Sequence, residues 1–149
     1  AEDRKDAGLF IRVPVTMAVD MKRGGRIVNS EGKTDAEAWS QPARWCDYHG
    51  PVDGEHLGIA ILNHPDSFRH PTRWHVRTYG LFAANPFASH GYDAALPDAS
   101  LTLALGEAIK LRHRFILHVG DEQAAGIEQA WQAYAAEPRP PVPVNASPR

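Results

Sequence analysis

The fold is decided by residues 44–63, which read RWCDYHGPVDGEHLGIAILN. The pair Asp53-Gly54 is typical of a two-residue hairpin turn, because both residue types tolerate the left-handed backbone that such a turn requires. Residues 56–63 alternate between large apolar and small or polar side chains, which predicts a half-buried strand. Residues 44–48 are rich in aromatic side chains and predict its partner strand, which we expect Gly50-Pro51 to end. These residues therefore predict an antiparallel pair of strands.

Further strands are predicted on both sides of this pair. Alternating or β-branched patterns indicate strands over residues 9–19, 26–29, 74–79, 101–105 and 110–119. A helical spacing of large side chains appears only after Asp121, which can cap a helix that Pro138 ends. Many strands followed by one late helix predict a mainly β fold, an antiparallel β-sandwich with one C-terminal helix.

The length of 149 residues suits one domain, and the sequence shows no internal repeat. We expect residues 1–137 to form a single β-sandwich domain, which is either whole or one half of a larger sandwich. Residues 138–149 are rich in proline, which predicts an extended or disordered tail. The chain begins at Ala1 without a methionine, which indicates a removed leader or a piece of a longer protein.

The composition argues against several function classes. A net charge of -2 leaves no basic surface of the kind that nucleic acids attract, so no nucleic-acid partner is expected. The apolar runs are too short to cross a bilayer, which predicts a soluble protein but does not decide between the cytoplasm and export. The single cysteine, Cys46, allows no internal disulfide and is expected to be a small core residue.

Residues with useful chemistry are concentrated in residues 63–87, which contain three histidines, three arginines and three prolines. If residues 74–79 form a strand, then His75, Arg77 and Tyr79 share one of its faces. An imidazole, a guanidinium and a phenol in a row can hydrogen-bond to a polar ligand and stack on it. The same row is also typical of a solvated outer face of an antiparallel sheet, so both interpretations stay open.

An ordered series of short motifs runs from residue 44 to the predicted helix. It consists of Trp45-x-Asp47-Tyr48-x-Gly50, Gly58-Ile59-Ala60-Ile61, His64-Pro65, Arg69-His70-Pro71, Trp74-His75-Val76-Arg77-x-Tyr79-Gly80 and Asn85-Pro86-Phe87. This series resembles the C-terminal half of the PmoA-like family, a bacterial domain family labelled as a methane oxygenase. The resemblance implies a β-sandwich that accompanies sugar-oxidising and sugar-isomerising enzymes. It also implies an N-terminal half that is missing here or is supplied by a partner chain.

The first functional hypothesis is a sugar-processing enzyme domain that acts on a small sugar or an oligosaccharide. Its catalytic candidates are His75 as acid and base, Arg77 as stabiliser of oxyanion charge, Asp47 as orienting group and His64 as a second proton carrier. Its substrate-binding candidates are Trp45, Tyr48, Arg69, Trp74, Tyr79 and Asn85. The sequence shows no carboxylate pair of the ordinary glycosidase kind. We expect His75, Arg77 and Tyr79 to converge with His64 and Asp47 on one concave surface.

Two other hypotheses stay open. A non-catalytic carbohydrate-binding or interaction module would use the same exposed aromatic rings without any proton transfer. A metal-dependent oxygenase would draw ligands from His64, His70, His75 and His90, with Asp47 or Asp66 as a carboxylate ligand. Those histidines lack the spacing of a recognised metal motif, so a divalent metal is not favoured and no ligand set is assigned.

Overall fold

A computed structural model describes residues 2–138 of the chain. Within this part, seven strands precede one helix. The strands are β1 Leu9–Arg12, β2 Arg26–Asn29, β3 Trp45–Val52, β4 Glu55–Asn63, β5 Arg73–Val76, β6 Leu81–Asn85 and β7 His113–Val119, and the helix is α1 Ile127–Ala135. Short 3-10 turns lie at Val15–Met17, Val19–Met21 and Asp35–Ala38.

The strands form two antiparallel sheets, one of three strands in the order β1-β6-β5 and one of four strands in the order β2-β3-β4-β7. The prediction of a mainly β sandwich with one C-terminal helix is confirmed. No helix within residues 2–138 is long and apolar enough to cross a membrane.

The central hairpin is confirmed at its predicted turn. Strands β3 and β4 pair up to Val52 and Glu55, and the two residues between them, Asp53 and Gly54, have φ angles of 50° and 88°. Strand β3 does not end at Gly50-Pro51 as predicted. Strand β2 pairs with β3 only as far as His49, so the missing N–H of Pro51 removes no hydrogen bond to β2.

The core between the two sheets is built from alternate residues of each strand. Tyr48 and Ile61 of the four-stranded sheet pack with Trp74 and Phe82 of the three-stranded sheet. Cys46 belongs to the same core, as predicted, and burial raises the pKa of its thiol. Residues that alternate with these point away from the core on two opposite outer faces.

Helix α1 covers the outer face of the four-stranded sheet. Ile127 and Tyr134 of the helix pack with Trp45, Ala60 and Leu62 in a second apolar cluster. Helix α1 thus fills the space beside the small side chain of Ala60. The outer face of this sheet is therefore covered by a helix, whereas no described helix lies on the outer face of the three-stranded sheet.

Three predicted strands are shorter than expected or absent. The strand predicted over residues 9–19 ends at Arg12, because Pro14 has no N–H to donate to a ladder and two 3-10 turns follow it. The strand predicted over residues 74–79 ends at Val76 and turns back into β6. Residues 101–105 form no strand, because their alternating pattern finds no neighbouring strand to pair with, and Leu105 is fully exposed.

The C-terminal region departs from prediction in two further respects. The strand predicted over residues 110–119 begins only at His113, and its apolar face is largely exposed, with Leu117 80% and Val119 72% accessible. The helix begins at Ile127 rather than beside Asp121, whose carboxylate accepts a hydrogen bond from the backbone N–H of Ala124 at 2.8 Å. Residues 139–149 of the predicted tail lie outside the described residues.

Candidate functional site

The structure does not bring together the five residues predicted to share one surface. His75 and Tyr79 line one groove on the outer face of the three-stranded sheet. Arg77 lies beside that groove with its guanidinium against the ring of Tyr79. Asp47 lies on the outer face of the four-stranded sheet, and His64 contacts helix α1. The predicted convergence is therefore not found.

Alternation along the strands explains this separation. Tyr48 points into the core from the four-stranded sheet, so its neighbour Asp47 points away from the core. Trp74 points into the same core from the three-stranded sheet, so His75 points away on the opposite side. Packed sheets lie about 10 Å apart, and this thickness separates the two side chains.

Two predicted sugar-binding rings are parts of the core. Tyr48 and Trp74 are completely buried. The Tyr48 hydroxyl donates to the carbonyl of Thr78 at 3.0 Å, and burial raises its pKa. Trp74 donates from Nε1 to the carbonyl of Ala43 at 3.0 Å. Because neither ring reaches the surface, neither can serve as a platform for a sugar.

Two further binding candidates also serve the structure. Trp45 donates from Nε1 to the carboxylate of Glu128 at 2.7 Å, which fixes helix α1 on the sheet. Asn85 is completely buried, and its amide donates to backbone carbonyls that include that of Lys5 at 2.8 Å. These partners occupy the polar groups that a ligand would need.

Arg69 and His64 hold loops in place. Arg69 donates from Nη1 to the carbonyls of Pro86 and Ala99 at 2.8 and 2.7 Å. His64 accepts at Nδ1 from the backbone N–H of Asp66 at 3.0 Å, and its ring meets Tyr134 edge-on with centroids 4.9 Å apart. Both side chains are therefore engaged by the protein.

The groove on the three-stranded sheet has a volume of about 260 Å³ and is lined by Lys5, Asp6, Ala7, Phe10, Arg12, His75, Tyr79, Leu81 and Ala83. Nδ1 of His75 lies 2.7 Å from the carbonyl oxygen of Lys5. A carbonyl only accepts, so Nδ1 carries the proton. No described residue hydrogen-bonds to Nε2, which leaves this nitrogen for a ligand in the groove.

Aromatic and cationic groups surround His75. Phe10 and Tyr79 are 60% and 48% exposed. The guanidinium of Arg12 lies 5.5 Å from the centroid of the Tyr79 ring. Arg77 lies 5.3 Å from the ring of Trp39 and does not line the groove. The guanidinium that lines the groove with His75 is thus that of Arg12, which is not among the residues predicted from the sequence.

A second cluster of titratable groups lies on the covered outer face of the four-stranded sheet. The completely buried carboxylate of Asp47 accepts from Nδ1 of His49 at 2.7 Å and from Nε2 of His118 at 2.6 Å. A carboxylate oxygen of Glu122 lies 3.7 Å from the same Nδ1 of His49. The hydrogen bond to Asp47 raises the pKa of His118.

A glycine makes this cluster possible. His49 of β3 and His118 of β7 both pair with Gly58 of the strand between them. A Cβ atom at Gly58 would lie 2.2 Å from Cε1 of His118, so the imidazole can cross β4 to Asp47 only over a residue without a side chain. His49 is not among the residues predicted from the sequence, because Gly50-Pro51 was expected to end the strand there.

The chain belongs to DUF6807, a family of unknown function, whose model matches residues 1–132. The resemblance to the PmoA-like family is therefore wrong, because the match that covers the chain is to a different family. The short motifs that suggested it include buried residues such as Trp74 and Asn85, which packing alone explains. No curated protein and no solved structure matches the chain.

Proposed function

We propose that the groove on the three-stranded sheet binds a carbohydrate and that His75 acts there as acid and base. One observation carries the proposal. The Lys5 carbonyl holds Nδ1 of His75 at a groove that Arg12, Phe10 and Tyr79 also line, and no described residue hydrogen-bonds to Nε2. The proposal retains His75 and Tyr79 from the sequence and replaces Arg77 by Arg12.

The lining of the groove suits a sugar ring. The exposed faces of Phe10 and Tyr79 offer apolar surface for the C–H groups of a pyranose. Arg12 and Lys5 donate hydrogen bonds and Asp6 accepts them, which matches the alternating hydroxyls of a sugar. Two cations against one carboxylate at the groove favour a sugar that carries a negative charge, such as a uronic acid.

The same residues support proton transfer at a carbon next to a carbonyl group. Nε2 of neutral His75 is unprotonated and can take a proton from a bound keto-sugar. The guanidinium of Arg12 can stabilise the negative charge that develops on the substrate oxygen. Asp6 is the only carboxylate among the residues that line the groove, so hydrolysis by a carboxylate pair is not supported.

Binding without catalysis is the second candidate function. It is favoured by the exposed rim of the site, since Phe10 keeps 60% of its surface in solvent, whereas the candidate base His75 is only 7% exposed. Enzymes that transfer protons commonly exclude water from the reacting groups. A carbohydrate-binding module needs only the exposed rings and the polar rim.

The proposal is tested by calorimetric titration of the chain with a panel of neutral sugars, keto-sugars and uronic acids, followed by turnover assays on each ligand that binds. Phe10→Ala is expected to weaken binding about fivefold, the loss of one aromatic contact. Phe115→Ala on the other sheet is the matched control and should bind as the native chain does. His75→Gln should abolish turnover and change the dissociation constant less than threefold.

The outcomes separate the two candidate functions. Binding without turnover by the native chain would favour the binding module. If no sugar of the panel binds, or if Phe10→Ala binds as tightly as the native chain, the groove is not a carbohydrate site.

A further inference from the structure

The cluster around Asp47 contains a second carboxylate, that of Glu122, which has no hydrogen-bond donor among the described residues. The carboxylates of Asp47 and Glu122 lie on either side of Nδ1 of His49, and their side chains are 0% and 13% exposed. His49 donates its Nδ1 proton to Asp47, whereas Glu122 at 3.7 Å is beyond hydrogen-bond distance. No described residue donates a hydrogen bond to the Glu122 carboxylate. Buried carboxylates are costly unless a cation compensates them.

The ligand atoms of these three residues are placed for a metal ion. One such atom from each of Asp47, His49 and Glu122 lies within 4.8 Å of the other two. Ligands about 2.1 Å from a tetrahedral ion lie about 3.4 Å apart. The two shorter separations here, 2.7 and 3.7 Å, lie on either side of that value. We propose that Asp47, His49 and Glu122 bind a divalent transition-metal ion.

The charges and the donor types agree with this site. The three ligand groups, two carboxylates and an imidazole, are together anionic, which favours a divalent cation. One nitrogen and two oxygens form a donor set that Zn²⁺ and Mn²⁺ accept. The ion takes the place of the Nδ1 proton of His49, which is released to the buffer.

His118 is the positioning residue of this site. Its Nε2 donates to Oδ2 of Asp47, while Oδ1 is the oxygen that faces His49. A hydrogen bond to the second oxygen fixes the carboxylate plane and leaves Oδ1 free to bind the ion. His118 therefore contacts a ligand rather than the metal, and Gly58 provides the space for its ring.

The ion would join parts of the chain that are distant in sequence. Asp47 and His49 belong to β3, whereas Glu122 lies between β7 and α1. A metal bound by all three ties the segment before α1 to the sheet that the helix covers. The site is independent of the groove at His75, because the two lie on opposite outer faces of the sandwich.

The test is a titration of the EDTA-treated chain with Zn²⁺ and Mn²⁺ by calorimetry and thermal melting, and with Co²⁺ by visible absorption. We expect one ion per chain and a rise in melting temperature of about 5 °C at a free ion concentration a hundred times the dissociation constant. Glu122→Gln changes a side chain that is 13% exposed, so this variant should still fold. Its affinity for the ion should fall at least tenfold, because a charged ligand is lost. Glu55→Gln removes the same charge elsewhere and should bind normally.

His118→Gln separates positioning from ligation. This variant should lower the affinity for the ion about ten- to a hundredfold, while the one-to-one stoichiometry and the Co²⁺ spectrum stay the same. The proposal is overturned if neither Zn²⁺ nor Mn²⁺ raises the melting temperature. It is also overturned if Glu122→Gln binds as tightly as the native chain.

Discussion

On the outer face of the four-stranded sheet, Asp47 and His49 lie beneath the segment that leads into helix α1, and their polar atoms are bonded to other side chains. On the outer face of the three-stranded sheet, His75 lines a groove but is only 7% exposed, and no described residue hydrogen-bonds to its Nε2. The same alternation of side chains produces both faces. What differs is the partner that each face provides: His49 and Asp47 bond to side chains, whereas His75 and Asn85 bond to the backbone carbonyl of Lys5.

Two histidines of β7 show that burial alone does not decide protonation. His118 is held by the Asp47 carboxylate, and this hydrogen bond raises its pKa. His113 has no carboxylate, and burial lowers its pKa to about 4. Its Nε2 accepts from the amide of Asn63 at 3.2 Å, which fits a neutral ring. Partner chemistry therefore decides whether a histidine of the covered sheet carries charge.

The largest change in stability is expected from a substitution on the covered outer face of the four-stranded sheet. Gly58→Ala places a methyl group 2.2 Å from the His118 ring, so the imidazole must leave the buried Asp47 carboxylate. Overpacking and the loss of a buried partner together should cost about 4 kcal/mol of unfolding free energy, measured by urea denaturation.

The double variant Gly58→Ala/His118→Ala is the control for this mechanism. With the imidazole removed, the added methyl group has space, so Gly58→Ala should cost little in the His118→Ala background. Equal costs in both backgrounds would contradict the proposed clash.

A pH dependence sharpens the contrast between the two histidines. Because the pKa of folded His113 is about 4 and that of the unfolded residue is 6.5, the unfolded chain binds this proton more readily. Neutral His113 therefore contributes fully to the free energy of unfolding above pH 6.5. This contribution, at most about 3 kcal/mol, is lost as the pH falls towards 4. Urea denaturation of the native chain and of His113→Gln across this range measures it. Parallel stability curves would show that His113 does not contribute.

A smaller effect concerns the covering helix itself. Glu128→Ala removes the acceptor of the Trp45 indole N–H at 2.7 Å and a partner of Arg44 at 3.3 Å. Loss of a hydrogen bond to a charged group should cost about 2 kcal/mol in thermal or urea unfolding. Gln129→Ala, on the exposed side of the same helix, should change stability by less than about 0.5 kcal/mol. Similar losses in both variants would argue against the Trp45 contact.

The smallest expected effect on stability is on the open face. Phe10→Ala removes a ring that is 60% exposed, so unfolding free energy should change by less than about 0.5 kcal/mol even though sugar binding weakens. A loss of more than about 1 kcal/mol, measured in the same urea experiment, would show that Phe10 is part of the packing rather than of a binding surface.

The hairpin could be predicted from adjacent residues, whereas both candidate sites depend on pairing between strands that are distant in sequence. Asp53-Gly54 encodes its turn in two adjacent residues. Arg12 lines the same groove as His75 only because β1 and β5 both pair with β6, and no local sequence pattern predicts this pairing. His49 was not predicted because Pro51 was expected to end the strand. In the structure, the pairing of β2 with β3 stops at His49, so Pro51 interrupts no hydrogen bonds between these two strands.

The same limit explains the residues that were assigned to a site but serve the fold. Trp74, Tyr48 and Asn85 have side chains that suit both a sugar and a core, and only burial distinguishes the two roles. Glu122 lies in a segment between β7 and α1, and its position beside His49 depends on how that segment crosses the sheet. Residue type alone therefore did not predict where these side chains lie.

The central claim is that the covered face binds an ion and the open face binds an organic ligand. The most direct measurement records backbone amide NMR shifts of the chain during separate titrations with Zn²⁺ and with a panel of uronic acids and keto-sugars. The account predicts that Zn²⁺ shifts residues around Asp47, His49 and Glu122, whereas a sugar shifts residues around Phe10 and His75. Zn²⁺ shifts confined to other histidines, or sugar shifts on the four-stranded sheet, would contradict it.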